Sequence, residues 1–291
     1  MKFFSIKLLI ISTLFAQTIN CMEGNQSLDD GEHYHRYGRP QFDAAMKHLK
    51  DVTIPDHAEI IDIGCASGNI TAEIAELNPT ASVVGIDLKG KRIATAQAKY
   101  SDRKNLAFRT LDATNMDYKN KFDRAFCFVT LHWIADRKAF FQNLHTSLKD
   151  NGEFLLTVGT KKPELEAVKK QVFGALFKQN PQWYTTLAKT DLVTGNNAVS
   201  DDELQTLAHE AGFKDIQITQ EVSSHNFEDA QELANFFKTF LSDYKGISEF
   251  SPEEREKFIQ TGAQKWIEAQ PDRKIQYMWA QLVARGKKVT P

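Results

Sequence analysis

Short apolar runs alternate with amphipathic stretches through the first half of the chain, and the period of each stretch names its element. Glu59–Gly64 is a run of strand length. It passes through a small-residue loop into an amphipathic helix, Thr71–Leu77, which Asn78-Pro79 ends. Ser82–Leu88, Leu106–Leu111, Phe122–Val129 and Glu153–Val158 are further strands. Lys91–Tyr100 is helical, and so is Lys138–Leu148, whose Phe140, Phe141, Leu144 and Leu148 fall at helical spacing. A first helix is expected over Gln41–Leu49, and a turn at Asn151-Gly152. Alternating βα units of this length imply a parallel sheet with helices on both faces.

Past Gly159 the pattern changes. Residues 161–198 read as a helical insert rich in aromatics (Phe173, Phe177, Trp183, Tyr184), fit either for the core of a cap or for direct contact with a substrate. Ser200-Asp201-Asp202-Glu203 is a capping box opening a helix that ends near Gly212. Ile216–Val222 alternates as a sixth strand. Residues 229–269 are mostly helical, with a second box at Ser251-Pro252-Glu253-Glu254, and Tyr277–Ala284 is a final strand. The expected fold class is α/β: a doubly wound, seven-stranded, mostly parallel sheet. It forms one domain over 34–291, with helical insertions at about 161–198 and 229–269.

The N-terminus stands apart. Lys2 and Lys7 precede the apolar run Leu8–Ala16, too short to span a bilayer and matched to the n- and h-regions of a secretory signal peptide. Residues 1–21 are therefore expected to be a leader that exports the chain, and 22–33 a polar linker; were the leader idle, the protein would be cytoplasmic. No stable membrane insertion of the mature chain is expected. A net charge of −2 over 291 residues carries no footprint of a nucleic-acid partner. Three cysteines make no disulfide framework, and no metal-ligating arrangement is visible.

The chemistry sits in Asp62-Ile63-Gly64-Cys65-Ala66-Ser67-Gly68-Asn69. A strand, a loop of small residues and a helix N-terminus bring a nucleotide-like ligand close to backbone. A dinucleotide fingerprint would be G-x-G-x-x-G; here Ala66 and Asn69 break it. Asp62 lies inside the strand, where a phosphate would be repelled and a cationic amino or sulfonium group welcomed. Asp87 closes the second strand, placed to accept both ribose hydroxyls, and Asp112 follows the third, placed for an adenine amino group.

These residues resemble the D-x-G-x-G-x-G motif of Rossmann-like S-adenosylmethionine-dependent methyltransferases, with Ala66 in place of the middle glycine. The resemblance covers residues 59–158 and extends through the seven-strand plan. It implies S-adenosylmethionine as cofactor, held by Asp62, Gly64, Cys65, Ser67 and Gly68, by Asp87 with Leu88, and by Asp112 with Ala113. It places Thr130 beside the methyl group and has Tyr34 or Tyr37 covering the site. A loop that needed positive φ at residue 66 would suffer from the alanine's methyl.

The acceptor is expected at the end of strand four. Leu131-His132-Trp133-Ile134-x-Asp136 resembles the small-molecule carboxylate methyltransferases, the trans-aconitate, juvenile hormone acid and malonyl-carrier-protein enzymes. The stretch Tyr34…Gln41-Phe42-Asp43-Ala44 is similar to a cofactor-capping segment of the juvenile hormone acid enzymes. By that resemblance Gln41 and Trp133 hold a substrate carboxylate, and His132 is a donor, a base or a bystander. The expected activity is O-methylation of a small carboxylic acid by a monomer. A protein, lipid or amine acceptor, or an exported cofactor-binding protein without catalysis, remains open.

Overall fold

The computed structural model describes residues 31–241, 244, 246–270 and 272–289. The leader and residues 22–30 of the linker lie outside these residues. Seven strands, β1 (Glu59–Ile63), β2 (Ser82–Asp87), β3 (Leu106–Thr110), β4 (Phe122–Phe128), β5 (Leu148–Gly159), β6 (Phe213–Asn226) and β7 (Gln276–Lys288), form one sheet in the order β3-β2-β1-β4-β5-β7-β6. The pairs from β3 through β5 are parallel, and β7 runs antiparallel to both β5 and β6. Chain order reverses between β1 and β4, which opens a crevice at the carboxyl ends of those two strands.

Helices on both faces explain why the central strands are mainly apolar on both of their alternating sides. Ile61 and Ile63 of β1 join Ala125 and Cys127 of β4 in a core with Phe140, Phe141 and Leu144. These last belong to helix α5, named below. Ile60 joins Phe126 and Phe128 on the opposite face, against Ile74 and Ala75. The helices on this sheet are α1 (Gly31–Tyr37), α2 (Arg39–Leu49), α3 (Asn69–Leu77), α4 (Gly90–Lys99) and α5 (Arg137–Ser147).

The two late insertions fold together. Helices α6 (Pro163–Gln179), α7 (Pro181–Leu187) and α8 (Asp191–Thr194) come from the first. After α9 (Asp201–Glu210), which packs on the sheet, α10 (Ala230–Leu241) and α11 (Pro252–Ala269) come from the second. Leu176, Trp183, Leu187, Leu233, Phe258 and Trp266 share a core separate from those of the sheet. Both serine caps form: Ser200 Oγ accepts from Glu203 N at 3.2 Å, and Ser251 Oγ from Glu254 N at 3.1 Å.

Some boundaries differ from the sequence expectation. Helix α1 begins at Gly31, inside the segment expected as linker. Asn151, at φ +63, and Gly152 lie within β5, where the register shifts, so they form an irregularity in the strand and not a terminating turn. Strands β6 and β7 run well beyond Ile216–Val222 and Tyr277–Ala284. Pairing of β7 with β5 ends at Gln281, while β6 and β7 continue together to Asn226 and Gln276. This two-stranded arm carries Tyr277 into the cap core.

Candidate active site

The loop between β1 and α3 is built on left-handed backbone. Gly64 has φ +79, Ala66 +49 and Gly68 +83. A side chain at Gly64 would run into Thr130, and a Cβ at Gly68 would lie 2.6 Å from Phe108 Cζ. Ala66 therefore occupies a conformation that costs an L-residue about 1 kcal/mol. Asp87 holds it there: Ala66 N donates to Asp87 Oδ2 at 3.0 Å, and Lys89 N donates to Oδ1 at 2.8 Å. Asp112 caps the short 3-10 turn Ala113–Asn115, its Oδ1 accepting from both the backbone N–H and the hydroxyl of Thr114 at 2.8 Å.

A cavity of about 750 Å³ lies over the carboxyl ends of β1, β2 and β4 and reaches up into the cap. Gln41, Gly64, Asp87, Leu88, Asp112, Ala113, Thr130, His132 and Trp133 all line it. Tyr37, Asp62, Cys65, Ser67 and Gly68 do not. Tyr37 packs on the His33 ring at 4.7 Å, and His33 Nε2 is bonded to the Asn235 carbonyl of α10, so this side of α1 faces the cap. Tyr34 lines the cavity instead, with the Arg92 guanidinium 4.7 Å over its ring.

The other four lie in β1 and in the loop itself. Asp62 points to the face of the sheet that α3 covers, where Thr71 Oγ1 donates to its Oδ2 at 2.7 Å. Burial, reinforced by the Asp87 carboxylate and opposed by that hydrogen bond, raises its pKa to about 7. Cys65 packs with Ile93, Ala96 and Phe108, and burial raises its thiol pKa well above the ordinary value. Ser67 is buried, its hydroxyl donating to Asn69 Oδ1 at 3.3 Å, and Gly68 caps α3.

Around the acceptor end, Val129 has φ +52, a conformation rare for a β-branched residue, which turns the chain from β4 into the short helix Leu131–Trp133. His132 Nδ1 accepts a long 3.5 Å hydrogen bond from Gly159 N, which places the proton of the neutral ring on Nε2. Burial, with the Arg137 charge nearby, holds its pKa down at about 4. Trp133 stands beside the His132 ring at 5.0 Å and edge-on to Tyr244 at 4.8 Å. Gln41, in the first turn of α2, has a buried Oε1 with no hydrogen-bond partner.

Sequence reasoning missed Lys89 and Arg92 of the cavity wall, since nothing in a helix's first turn marks which side chains reach a ligand. It expected the two late insertions to cover the substrate side, but not which of their side chains, among them Phe236 and Trp266, reach the cavity. Of the aromatic insert, Phe173 reaches the cavity, Trp183 is fully buried in the cap core, and Tyr184 is exposed.

The comparisons with known proteins converge on one family. A family model described as a methyltransferase domain matches residues 54–212. The juvenile hormone acid O-methyltransferase of Bombyx mori is 27% identical over 182 residues, 60% of this chain and 63% of that protein. The trans-aconitate 2-methyltransferase of Enterobacter sp. strain 638 is 27% identical over 124 residues, 41% of this chain and 46% of its own length. In fold, the chain is similar to Haemonchus contortus phosphoethanolamine N-methyltransferase 2 solved with S-adenosyl-L-methionine. That match has a TM-score of 0.54 and 18% identity, covering 86% of this chain and 52% of that one. The sheet order, the glycine loop braced by Asp87 and the match over residues 54–212 together establish that the chain belongs to the methyltransferase-domain family of S-adenosylmethionine-dependent enzymes.

Proposed function

We propose that the cavity methylates a carboxylate oxygen of a small molecule. The site suits the family's methyl donor. Each Asp87 oxygen takes one backbone N–H and keeps acceptor capacity for a ribose hydroxyl. Asp112 engages Thr114 through Oδ1, so Oδ2 can serve an adenine amino group. The donor, when bound, supplies an electrophilic sulfonium methyl. Asp62 supports the loop from below, and Tyr34 covers the site from α1.

One observation carries the choice of acceptor: the imidazole on the acceptor wall is a poor base. His132 is neutral at physiological pH with a pKa near 4, and its Nδ1 is turned to Gly159. An alcohol or an ammonium group must lose a proton to become a nucleophile; a carboxylate already has. The wall then has only to orient and exclude water. The Gln41 amide and the Trp133 indole N–H can donate to the carboxylate, and His132 can add its Nε2–H. The carboxylate-directed relatives from Bombyx mori and Enterobacter lend this choice support.

The test is transfer of labelled methyl from S-adenosylmethionine to panels of carboxylic acids, amines and alcohols. Label released as methanol by mild alkali, from acids only, is the expected result. Base-stable label on amines or alcohols would overturn it.

A further inference from the structure

The cap wall of the cavity is apolar except at one place. Leu176, Phe236, Phe237 and Trp266 line it, yet Lys161, just past β5, and Lys169 of α6 also face in, with Glu166 beside them. Both lysines converge on Gly195, which has φ +63 and no side chain. The point where its Cβ would stand lies 3.3 Å from Lys169 Nζ and 3.7 Å from Lys161 Nζ. Two ammonium groups thus meet at one small polar recess, Lys169 half-buried and Lys161 on its exposed rim. Among the described residues neither has a salt bridge; Lys161 Nζ makes only a 3.4 Å hydrogen bond to the Thr194 carbonyl. Burial lowers the Lys169 pKa, with Glu166 opposing the shift and repulsion from the Lys161 charge adding to it.

An anion set between the two lysines would relieve that repulsion. Glu166 offsets one of the two charges, which leaves one positive charge to match a singly charged carboxylate better than a phosphate dianion. The recess is also distinct from the acceptor wall. Gln41, His132 and Trp133 present no charge, whereas a cation beside the reacting oxygen would blunt its nucleophilicity and repel a sulfonium. Lys161 lies two residues from Gly159, whose N–H meets His132, so the two sites are neighbours along one wall.

We propose that Lys161 and Lys169 anchor a second carboxylate of the substrate, so that the acceptor is an apolar dicarboxylic acid, held at both ends and methylated at the end facing Gln41, His132 and Trp133. The proposal rests on the carboxylate acceptor argued above and adds the group that selects among acids. Phe173, Tyr244 and Tyr277 line the same cavity, and their rings would bury the carbon chain.

The experiment titrates the even-numbered diacids from hexanedioic to dodecanedioic acid, and monoacids of equal length, into the protein saturated with S-adenosylhomocysteine. It uses the wild type and the K161M/K169M double variant. At least one diacid should bind the wild type about tenfold tighter than its monoacid, and that preference should vanish in the variant. Unchanged S-adenosylhomocysteine affinity shows the variant is folded. No diacid preference in the wild type, or a preference that survives the double substitution, overturns the anchor. A parallel methyl-transfer assay separates the two ideas. Preferred diacids left unesterified would sink the carboxylate acceptor while keeping the anchor. Monoacids esterified as well as diacids would do the reverse.

Discussion

Asp87 holds Ala66 in a left-handed turn: the Ala66 N–H donates to Asp87 Oδ2 at 3.0 Å, and Ala66 sits at φ +49. The same carboxylate faces the cavity, so the brace on the loop and the ligand-facing acid are one residue. The motif position that departs from the family pattern is thus one where a glycine would relax the backbone. Ala66→Gly should stabilise the protein by about 0.5 kcal/mol, because the relief of φ strain exceeds the added entropy of the unfolded chain. Urea midpoints measure this, and S-adenosylhomocysteine affinity should hold or improve. A lower midpoint would show that Ala66 is not strained.

The parallel half of this fold was legible because buried strands write themselves as apolar runs, and β1, β2, β4 and the second half of β5 are largely buried between helices. The arm formed by β6 and β7 was legible only in its middle. Ser223, Ser224 and His225 pair with β7 as surely as Ile218 does, but they lie beyond the main sheet and carry no apolar alternation. The loop was legible as a ligand site because Gly64, Gly68 and Asp87 have jobs few other residues can do. What the sequence could not show is direction. Asp62 inside β1 and Asp87 at the end of β2 are both acids close to the loop, yet parity on β1 turns Asp62 toward Thr71 and away from the cavity. Tyr34 and Tyr37 are both helical, yet contact with Arg92 and His33 sends them to different neighbours.

The raised pKa of Asp62 makes stability depend on pH. The folded protein keeps this proton up to about pH 7, whereas the unfolded chain releases it around the ordinary 3.8. Stability contributed by the site is therefore full below about pH 4, falls as pH rises to about 7, and is level above. Asp62→Asn cannot ionise and can still accept from Thr71. The variant should gain on the wild type steadily between pH 4 and pH 7 in urea unfolding, and the gain should level off above. Parallel stability curves across that range would mean that Asp62 does not hold its proton.

Because the cap has its own core, it can be weakened without touching the loop. Trp183 is fully buried there, and its indole N–H donates to Glu254 Oε1 at 2.9 Å, tying α7 to α11. Trp183→Ala should cost about 3 to 5 kcal/mol locally. Its signature is faster proteolysis within residues 161–198 and a raised KM for the acceptor, with S-adenosylhomocysteine affinity within about threefold of wild type. A collapse of that affinity in step with the KM would show that cap and sheet unfold as one unit.

His132 offers the sharpest distinction between orientation and proton transfer. A residue that removes a proton in the transition state is worth about 10²- to 10⁴-fold in rate. A single orienting donor to an already ionised oxygen is worth about tenfold. His132→Asn keeps a carbonyl oxygen that can accept from Gly159 N and removes the imidazole. With a carboxylate acceptor, kcat should fall by no more than about tenfold. The rate should also be flat from pH 6 to pH 9, since the imidazole with its pKa near 4 stays neutral throughout. A loss of a hundredfold or more, with rate rescued by added imidazole, would make His132 a base and the acceptor a group that must first be deprotonated.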